Sequence, residues 1–462
     1  MPLPPQPLSP LDGRYQRQVG NLSEHLSESG LNRARVRVEV DWLLWCAQHG
    51  LFGAGAVEQA DAEALRAWAR DFGQPEIDWL AEKEAVTRHD VKAVEYLVRD
   101  RLAEQGLDRL SEAVHIACTS EDINNLSYAL TIRAAVHEVW LPAFRGVIDK
   151  LRSLAEEHRE RPMLSLTHGQ PATPSTLGKE LAVVAWRLER QARRIESCEI
   201  LGKFAGATGT FSAHVVAEPD ADWPSVAEGF VASLGLTWNP LTTQIESHDW
   251  QAELMSAISH AGRILHNLAT DVWTYIMLGV FTQIPVAGAT GSSTMPHKVN
   301  PIRFENAEAN LEIASALLET LSATLVTSRL QRDLTDSSTQ RNIGVALGHS
   351  MLALDNLRRG LDEIAASDAV LDRMLEENWE VLAEAIQTVI RAEVLAGRSS
   401  IDDPYAKLKE LTRGHRVGAE ELAAFVDDLD IGHDAKARLK ALTPATYTGL
   451  AAALVDRLPE RS

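Results

Sequence analysis

Apolar residues recur at intervals of three and four along most of this 462-residue chain, which is the period of an amphipathic α-helix. Between Gln251 and Phe281 the series is Leu254, Ile258, Ala261, Ile264, Leu265, Leu268, Val272 and Ile276. Pro174 to Leu201 repeats it with Leu177, Leu181, Val184, Leu188, Ala192 and Ile195, and Pro301 to Leu330 with Phe304, Ala307, Leu311, Ala314, Leu318, Leu321 and Leu325. Each pattern outlasts the roughly 25 residues at which an isolated globular helix becomes unusual. Stripes that long are buried only against neighbours of similar length, so the pattern predicts an all-α protein with an elongated central bundle. No alternating apolar and polar series marks a sheet, and no internal repeat is visible.

The break near Gly106 to Ser111 and the shorter, more charged segments after about Leu361 predict three helical domains. These are an N-terminal domain over 1–112, the long-helix bundle over 113–364 and a C-terminal domain over 365–462, the last interrupted by a loop from Gly397 to Pro404.

Composition narrows the function. Hydrophobic residues at 45% and charged ones at 24% are globular proportions, but 45 Lys+Arg against 65 Asp+Glu leaves a net charge of −20. That excess argues against a nucleic-acid or anionic-membrane partner while leaving room for a local basic pocket. Cys46, Cys118 and Cys198 are widely spaced with no Cys-x-x-Cys, which fits a reducing cytosol and neither a disulfide scaffold nor a structural zinc site. His115 and Cys118 are three apart, but two ligand types without others nearby make no metal site, and neither metal nor cofactor is expected. Met1 to Pro10 lacks the basic and apolar regions of a secretory signal, and runs such as Tyr275 to Phe281 fall short of the roughly 20 residues that cross a bilayer. A cytoplasmic protein is expected.

Five segments carry candidate chemistry. Pro285 to Pro301 separates two long helices with Gly288, Gly291, Ser292, Ser293 and Pro296, a loop richer in special residues than a connector requires. Asn300-Pro301 has the form of an N-cap followed by proline at the first helical position, where backbone N–H groups favour an anion, and Lys298 adds charge there. His168 lies in Leu166 to Pro174, a polar stretch preceding a long helix. In Cys118 to Asn125, Thr119 and Asp122 have the spacing of a capping box. Thr87-Arg88-His89-Asp90 also reads as a helix start, and Arg329, Arg332 and Arg341 interleave with Thr335, Asp336, Ser337 and Ser338 as a patch suited to phosphate. Taken singly, most of these are as well explained by capping and surface salt bridges. No Gly-x-Gly-x-x-Gly, Walker loop or His-Glu-x-x-His is present.

Together the segments resemble the fumarase/aspartase superfamily, whose signature loop is similar to Gly291-Ser292-Ser293-Thr294-Met295-Pro296-His297-Lys298-Val299-Asn300-Pro301. Within it, Arg88 to Tyr96, Thr119 to Asn125, Thr167 to Ser175, Gln244 to Asp249 and Arg332 to Ser337 resemble the adenylosuccinate lyase family, in particular its bacterial branch, and the likeness spans nearly the whole chain. Argininosuccinate lyases and carboxymuconate cycloisomerases share the loop, but His297 and Thr167-His168-Gly169-Gln170 favour the adenylosuccinate branch. The resemblance implies a helical homotetramer with active sites shared among subunits. It implies cleavage of adenylosuccinate to AMP and fumarate, and of succinyl-aminoimidazole-carboxamide ribotide to fumarate and the carboxamide ribotide, with no cofactor.

By the same resemblance Ser292 is the general base and His168 the general acid, while Lys298, Val299 and Asn300 bind the succinyl carboxylate. Arg14, Tyr15, Arg88, His89, Asp90, Arg332, Ser337 and Arg341 would hold the phosphate and base; Thr119, Ser120, Gln244, Ser293 and Asn306 would surround the succinyl group. Two departures stand out: Arg88 replaces an asparagine of the branch, and Phe204-Ala205 is less polar than its pattern after Gly202-Lys203.

Overall fold

The computed structural model describes residues 7–285, 295, 298–412 and 417–459. Its principal elements in chain order are α1 (Gln16–Leu26), α2 (Glu28–His49), α3 (Gln59–Arg70), α4 (Gln74–Thr87), α5 (Asp90–Glu104), α6 (Ser120–Ala134) and α7 (Leu141–Glu157). Strands β1 (Pro162–Thr167) and β2 (Gln170–Thr176) follow, then α8 (Leu177–Glu196), α9 (Ser212–Ala217), α10 (Trp223–Ser233), α11 (Asp249–Met277), α12 (Ile302–Leu325), α13 (Thr335–Gln340) and α14 (Ile343–Asp362). Shorter helices continue to Ala451–Leu454. Helices make up 67% of the structure, as the threefold and fourfold periodicity requires.

Contacts divide the chain into two discontinuous units. The first comprises Met1–Phe144, Gln191–Arg263 and Ala307–Asp355; the second comprises Arg145–Arg190, Ile264–Asn306 and Asn356–Ser462.

In the first unit α2 is the central element. It is apolar on more than one side, burying Leu31, Ala34, Val36, Val38, Val40, Trp42, Leu43 and Leu44, which is the pattern of a helix surrounded by others. Ser27 caps its start, its Oγ accepting from the Gly30 N–H at 3.1 Å, and Gly50 ends it in the left-handed conformation at φ 67°. Val36, Val40 and Leu43 pack with Leu65 and Ala69 of α3 and with Val94 and Val98 of α5. On another side the Trp42 ring lies 4.3 Å from Phe204 and 5.0 Å from Phe230. Truncating so enclosed an aromatic costs about 3–5 kcal/mol.

In the second unit, Arg145 and Arg152 of α7 face Glu189 of α8 at 3.8 and 3.6 Å. Gly178 permits the close passage of these helices, since a Cβ there would lie 2.3 Å from the Ala155 carbonyl oxygen. Between them β1 and β2 form an antiparallel hairpin with Thr167 opposite Gln170.

That hairpin departs from the expectation of a loop running into a helix at Pro174. Residues 170–176 pair with β1, and α8 begins at Leu177. Pro171 and Pro174 hide the strand from pattern reading because they donate no hydrogen bond, yet a two-stranded ladder tolerates them on its free edge. Of the three long periodic stretches, α11 reaches 29 residues, whereas α8 and α12 stop at 20 and 24. α12 ends where Val326, Thr327 and Ser328, β-branched or hydroxyl-bearing, weaken the helix. Its start is displaced by one residue. Pro301 stands half inside, its carbonyl accepting from Phe304 and Glu305, while Asn300 precedes it and accepts from Ile302 at 2.9 Å.

Candidate active site

The first unit gathers four of the expected site residues into one polar ring. Asp90 opens α5, where His89 is the N-cap and its Nδ1 accepts from the Lys92 N–H at 3.2 Å. Asp90 Oδ2 accepts from Arg35 Nη2 at 2.8 Å and lies 3.5 Å from Arg341 Nη2. Arg35 is 2% exposed on α2, and its Nε donates to Asn124 Oδ1 at 2.9 Å. Asn124 Nδ2 donates to Glu121 Oε1, which also receives Arg332 Nη2, each at 2.9 Å. Arg332 Nη2 donates to Ser337 Oγ at 3.2 Å, and Arg341 Nη1 to the Ser337 carbonyl at 3.0 Å, closing the circuit back to Asp90. Burial works against the Asp90 carboxylate, but Arg35, the Val91 N–H and Arg341 outweigh it and hold its pKa below the ordinary value. For Glu121 burial dominates over Arg332, and its pKa is raised. The buried Arg332 Nε has no hydrogen-bond partner among the described residues.

Thr119 and Ser120 stand beside Glu121 at the start of α6. The capping box anticipated there is present: Asp122 Oδ2 accepts from the Thr119 N–H at 2.9 Å. Asp122 Oδ1 accepts from Lys203 Nζ at 2.7 Å and from the N–H groups of Ala205 and Gly206 at 2.9 and 3.3 Å. Both charged side chains are fully buried, so this pair ties the Thr119 turn to the loop after Gly202. The apolar Phe204-Ala205 is thereby explained, since Phe204 packs on Trp42 and Phe230 rather than facing a ligand.

His115 belongs to this turn as a structural ion-pair member. Its Nδ1 lies 2.6 Å from Glu39 Oε1, and although burial opposes its charge, Glu39 and Glu95 outweigh that and raise its pKa. Gln244 is half-buried in the loop before α11, where the Thr243 hydroxyl donates to the Gln331 carbonyl at 2.8 Å, next to Arg332. In the same loop the Glu246 carboxylate accepts from the His248 N–H at 2.8 Å, and His248 Nε2 lies 3.3 Å from Asp336 Oδ2. Arg14 is exposed with its guanidinium 5.7 Å from the Tyr15 ring centroid, and Tyr15 packs on the Leu11, Val19 and Leu352 cluster. Arg88 is exposed at φ 52°, ending α4 in the left-handed region, which asparagine tolerates better.

The second unit carries His168. Thr167 pairs with Gln170, so His168 and Gly169 alone make the hairpin turn, with φ values of 53° and 71°. Positive φ at both central positions is the type I′ pattern, whose twist matches a hairpin. The turn leaves the imidazole exposed at the tip, and a histidine held in the left-handed region is the kind of local strain that gathers at functional sites. Lys298 and Val299 are exposed and Asn300 is half-buried; the Val299 carbonyl accepts from Gln283 Nε2 at 2.7 Å. Asn306 Oδ1 accepts from Asn356 Nδ2 at 2.9 Å. Ser292, Ser293 and His297 lie outside the described residues.

Arg35, Asn124 and Lys203 escaped the sequence reading. A signal for the first existed, because Arg35 and Glu39 are charged residues one turn apart among the apolar Ala34, Val36, Val38 and Val40, where a buried charge needs a partner.

Residues 13–313 match the family model described as lyase, and residues 328–448 match that described as adenylosuccinate lyase C-terminal. The chain is 49% identical over 454 residues to the adenylosuccinate lyase of Escherichia coli (strain K12), covering 98% of both. It is 48% identical over 453 residues to that of Haemophilus influenzae, again covering 98% of each. Among solved structures, 3-carboxy-cis,cis-muconate lactonizing enzyme from Pseudomonas putida superposes with a TM-score of 0.72 at 24% identity, covering 95% of this chain and 96% of that one, a likeness of fold. With near-half identity running the full length of curated relatives and both family models matched, the chain belongs to the adenylosuccinate lyase family of the fumarase/aspartase superfamily.

Proposed function

We propose that the chain eliminates fumarate from adenylosuccinate, leaving AMP, and from succinyl-aminoimidazole-carboxamide ribotide, leaving the carboxamide ribotide. The observation that carries this reading is the ring of Arg35, Arg332 and Arg341 with Asp90, Glu121 and Ser337, which draws guanidiniums, carboxylates and a hydroxyl from four separate segments to one place. Such a ring suits the phosphate and base of a nucleotide, because guanidiniums fixed by carboxylates are preorganised donors. In this reading Arg14, Tyr15, Arg88 and His89 serve the same end of the substrate, while Thr119, Ser120, Gln244, Ser293 and Asn306 surround the succinyl group.

The chemistry moves one proton off carbon and one onto nitrogen. Ser292 takes the proton from the carbon next to a succinyl carboxylate; the C–N bond then breaks, its electron pair leaves on nitrogen, and His168 protonates that nitrogen as the fumarate double bond forms. Lys298, Val299 and Asn300 hold the carboxylate on which negative charge builds, beside the N-terminus of α12, whose dipole favours it. The type I′ turn supports the role of His168, since it presents the imidazole at an exposed tip rather than on a packed face. A homotetramer with shared sites, working in the cytoplasm, completes the reading; among the described residues no helix is long and apolar enough to cross a membrane.

The test is fumarate release by the purified protein from adenylosuccinate, with argininosuccinate in parallel. Release from adenylosuccinate alone is expected, falling by roughly 10²–10⁴-fold in His168→Ala and again in Ser292→Ala. Release from argininosuccinate alone overturns the substrate, and undiminished turnover in either variant overturns that residue's role.

A further inference from the structure

In the first unit α2, α3 and the end of α10 line a cavity of about 460 Å³ with Arg37, Asp41, Trp45, Arg66, Arg70 and Ser233, none of them a residue of the ring. Adjoining it, a second cavity of about 440 Å³ shares Arg37 and Arg70 and adds Arg33 and Glu138. The arginines form two pairs one helical turn apart, 33 with 37 on α2 and 66 with 70 on α3, so each helix turns two guanidiniums toward the groove.

Four guanidiniums therefore meet two carboxylates in a chain whose net charge is −20. Asp41 is shared, 3.6 Å from Arg37 and 3.3 Å from Arg66, while Arg33 and Arg70 have no carboxylate partner among the described residues. Burial lowers the pKa of Arg133, with Arg37 adding to the effect and Glu138 opposing it; burial also lowers that of His25, where Glu138 and Glu24 oppose the shift and Arg33 adds to it. The Trp45 ring lines the groove, and its Nε1 is buried without a hydrogen-bond partner among the described residues.

We propose that this groove is a second anion site, distinct from the ring, that takes a small phosphate-rich molecule of the pyrophosphate or nucleoside polyphosphate class. Guanidinium forks favour phosphate oxygens over a point anion such as chloride. Two adjoining cavities in the size range of small-molecule sites suit a ligand with more than one phosphate better than a single orthophosphate.

Equilibrium dialysis of the full-length protein with inorganic pyrophosphate, ATP and orthophosphate tests this, with excess AMP present to occupy the ring. One pyrophosphate or ATP per chain is expected to remain bound under AMP, more tightly than orthophosphate. ATP binding well above pyrophosphate assigns the site to nucleotides, and equal binding assigns it to the phosphates alone. Arg66→Ala and Arg70→Ala should each weaken binding about tenfold, the scale of one charge-assisted hydrogen bond. Asp41→Asn should tighten it several-fold by releasing Arg37 and Arg66, a gain that misfolding cannot imitate. Complete displacement by AMP, arginine variants that bind as well as the parent, or unchanged or weaker binding in Asp41→Asn would each overturn the proposal.

Discussion

Replacing Lys203 by methionine isolates the buried pair that holds the Thr119 turn. Lys203 Nζ lies 2.7 Å from Asp122 Oδ1 and donates to the Gly206 carbonyl at 2.7 Å, with both charged side chains at 0% exposure. Methionine keeps the length of the stem but leaves Asp122 a buried carboxylate without its counter-ion, a change that costs about 3–5 kcal/mol. Asp122 keeps the N–H groups of Thr119, Ala205 and Gly206, so the lower end applies, about 3 kcal/mol. At about 1.4 kcal/mol per factor of ten, local opening rises roughly 150-fold. Hydrogen exchange resolved to the amides of Thr119, Ala205 and Gly206 reads this directly, without requiring a two-state transition of a large chain. Fumarate release should fall alongside, because Thr119 and Ser120 lose their anchor. Adding Asp122→Asn to Lys203→Met removes the orphaned charge and should recover part of the protection. Exchange within about threefold of the parent in Lys203→Met would refute the reasoning, since it would mean that the backbone donors alone satisfy the carboxylate.

Three further outcomes follow from single environments. Arg35→Met strands Asp90 and Asn124, and should lower stability by about 3 kcal/mol and raise KM for adenylosuccinate; an unaltered chemical-denaturation profile and KM would remove Arg35 from the ring's support. Arg88→Asn relieves a left-handed residue and should stabilise by about 0.5–1 kcal/mol, so a lower melting temperature by calorimetry contradicts the assignment of strain. His214 is buried among Phe204, Phe211 and Trp223 with neither ring nitrogen bonded among the described residues, and burial lowers its pKa from 6.5. The unfolded chain then binds a proton that the folded chain refuses, so this stabilisation is lost as pH falls from about 6.5 toward the folded value. His214→Phe should flatten melting temperature against pH in that window, and an unchanged slope would show that another group titrates there.

The helical class was legible because burying one stripe of a helix imposes a period that any chain must carry. The same holds for local stereochemistry: Thr119 and Asp122 announced their capping box, and His89-Asp90 a helix start, since those interactions span three residues or fewer. The hairpin that presents His168 was not legible, because its prolines break the alternation and its pairing is specified by the partner strand. Nor could the sequence say which charges meet. Arg35 and Arg341 are remote in the chain, yet both reach Asp90. Local motifs marked the segments and the family resemblance assigned their residues, while the ring that joins Asp90, Arg332, Ser337 and Arg341 depends on Arg35, Glu121 and Asn124. Sequence determined the helical elements and the caps of α5 and α6, whose energies are local. Tertiary structure decided the partners of the buried charges, because a charge removed from water is stabilised by whichever opposite group packing brings to it.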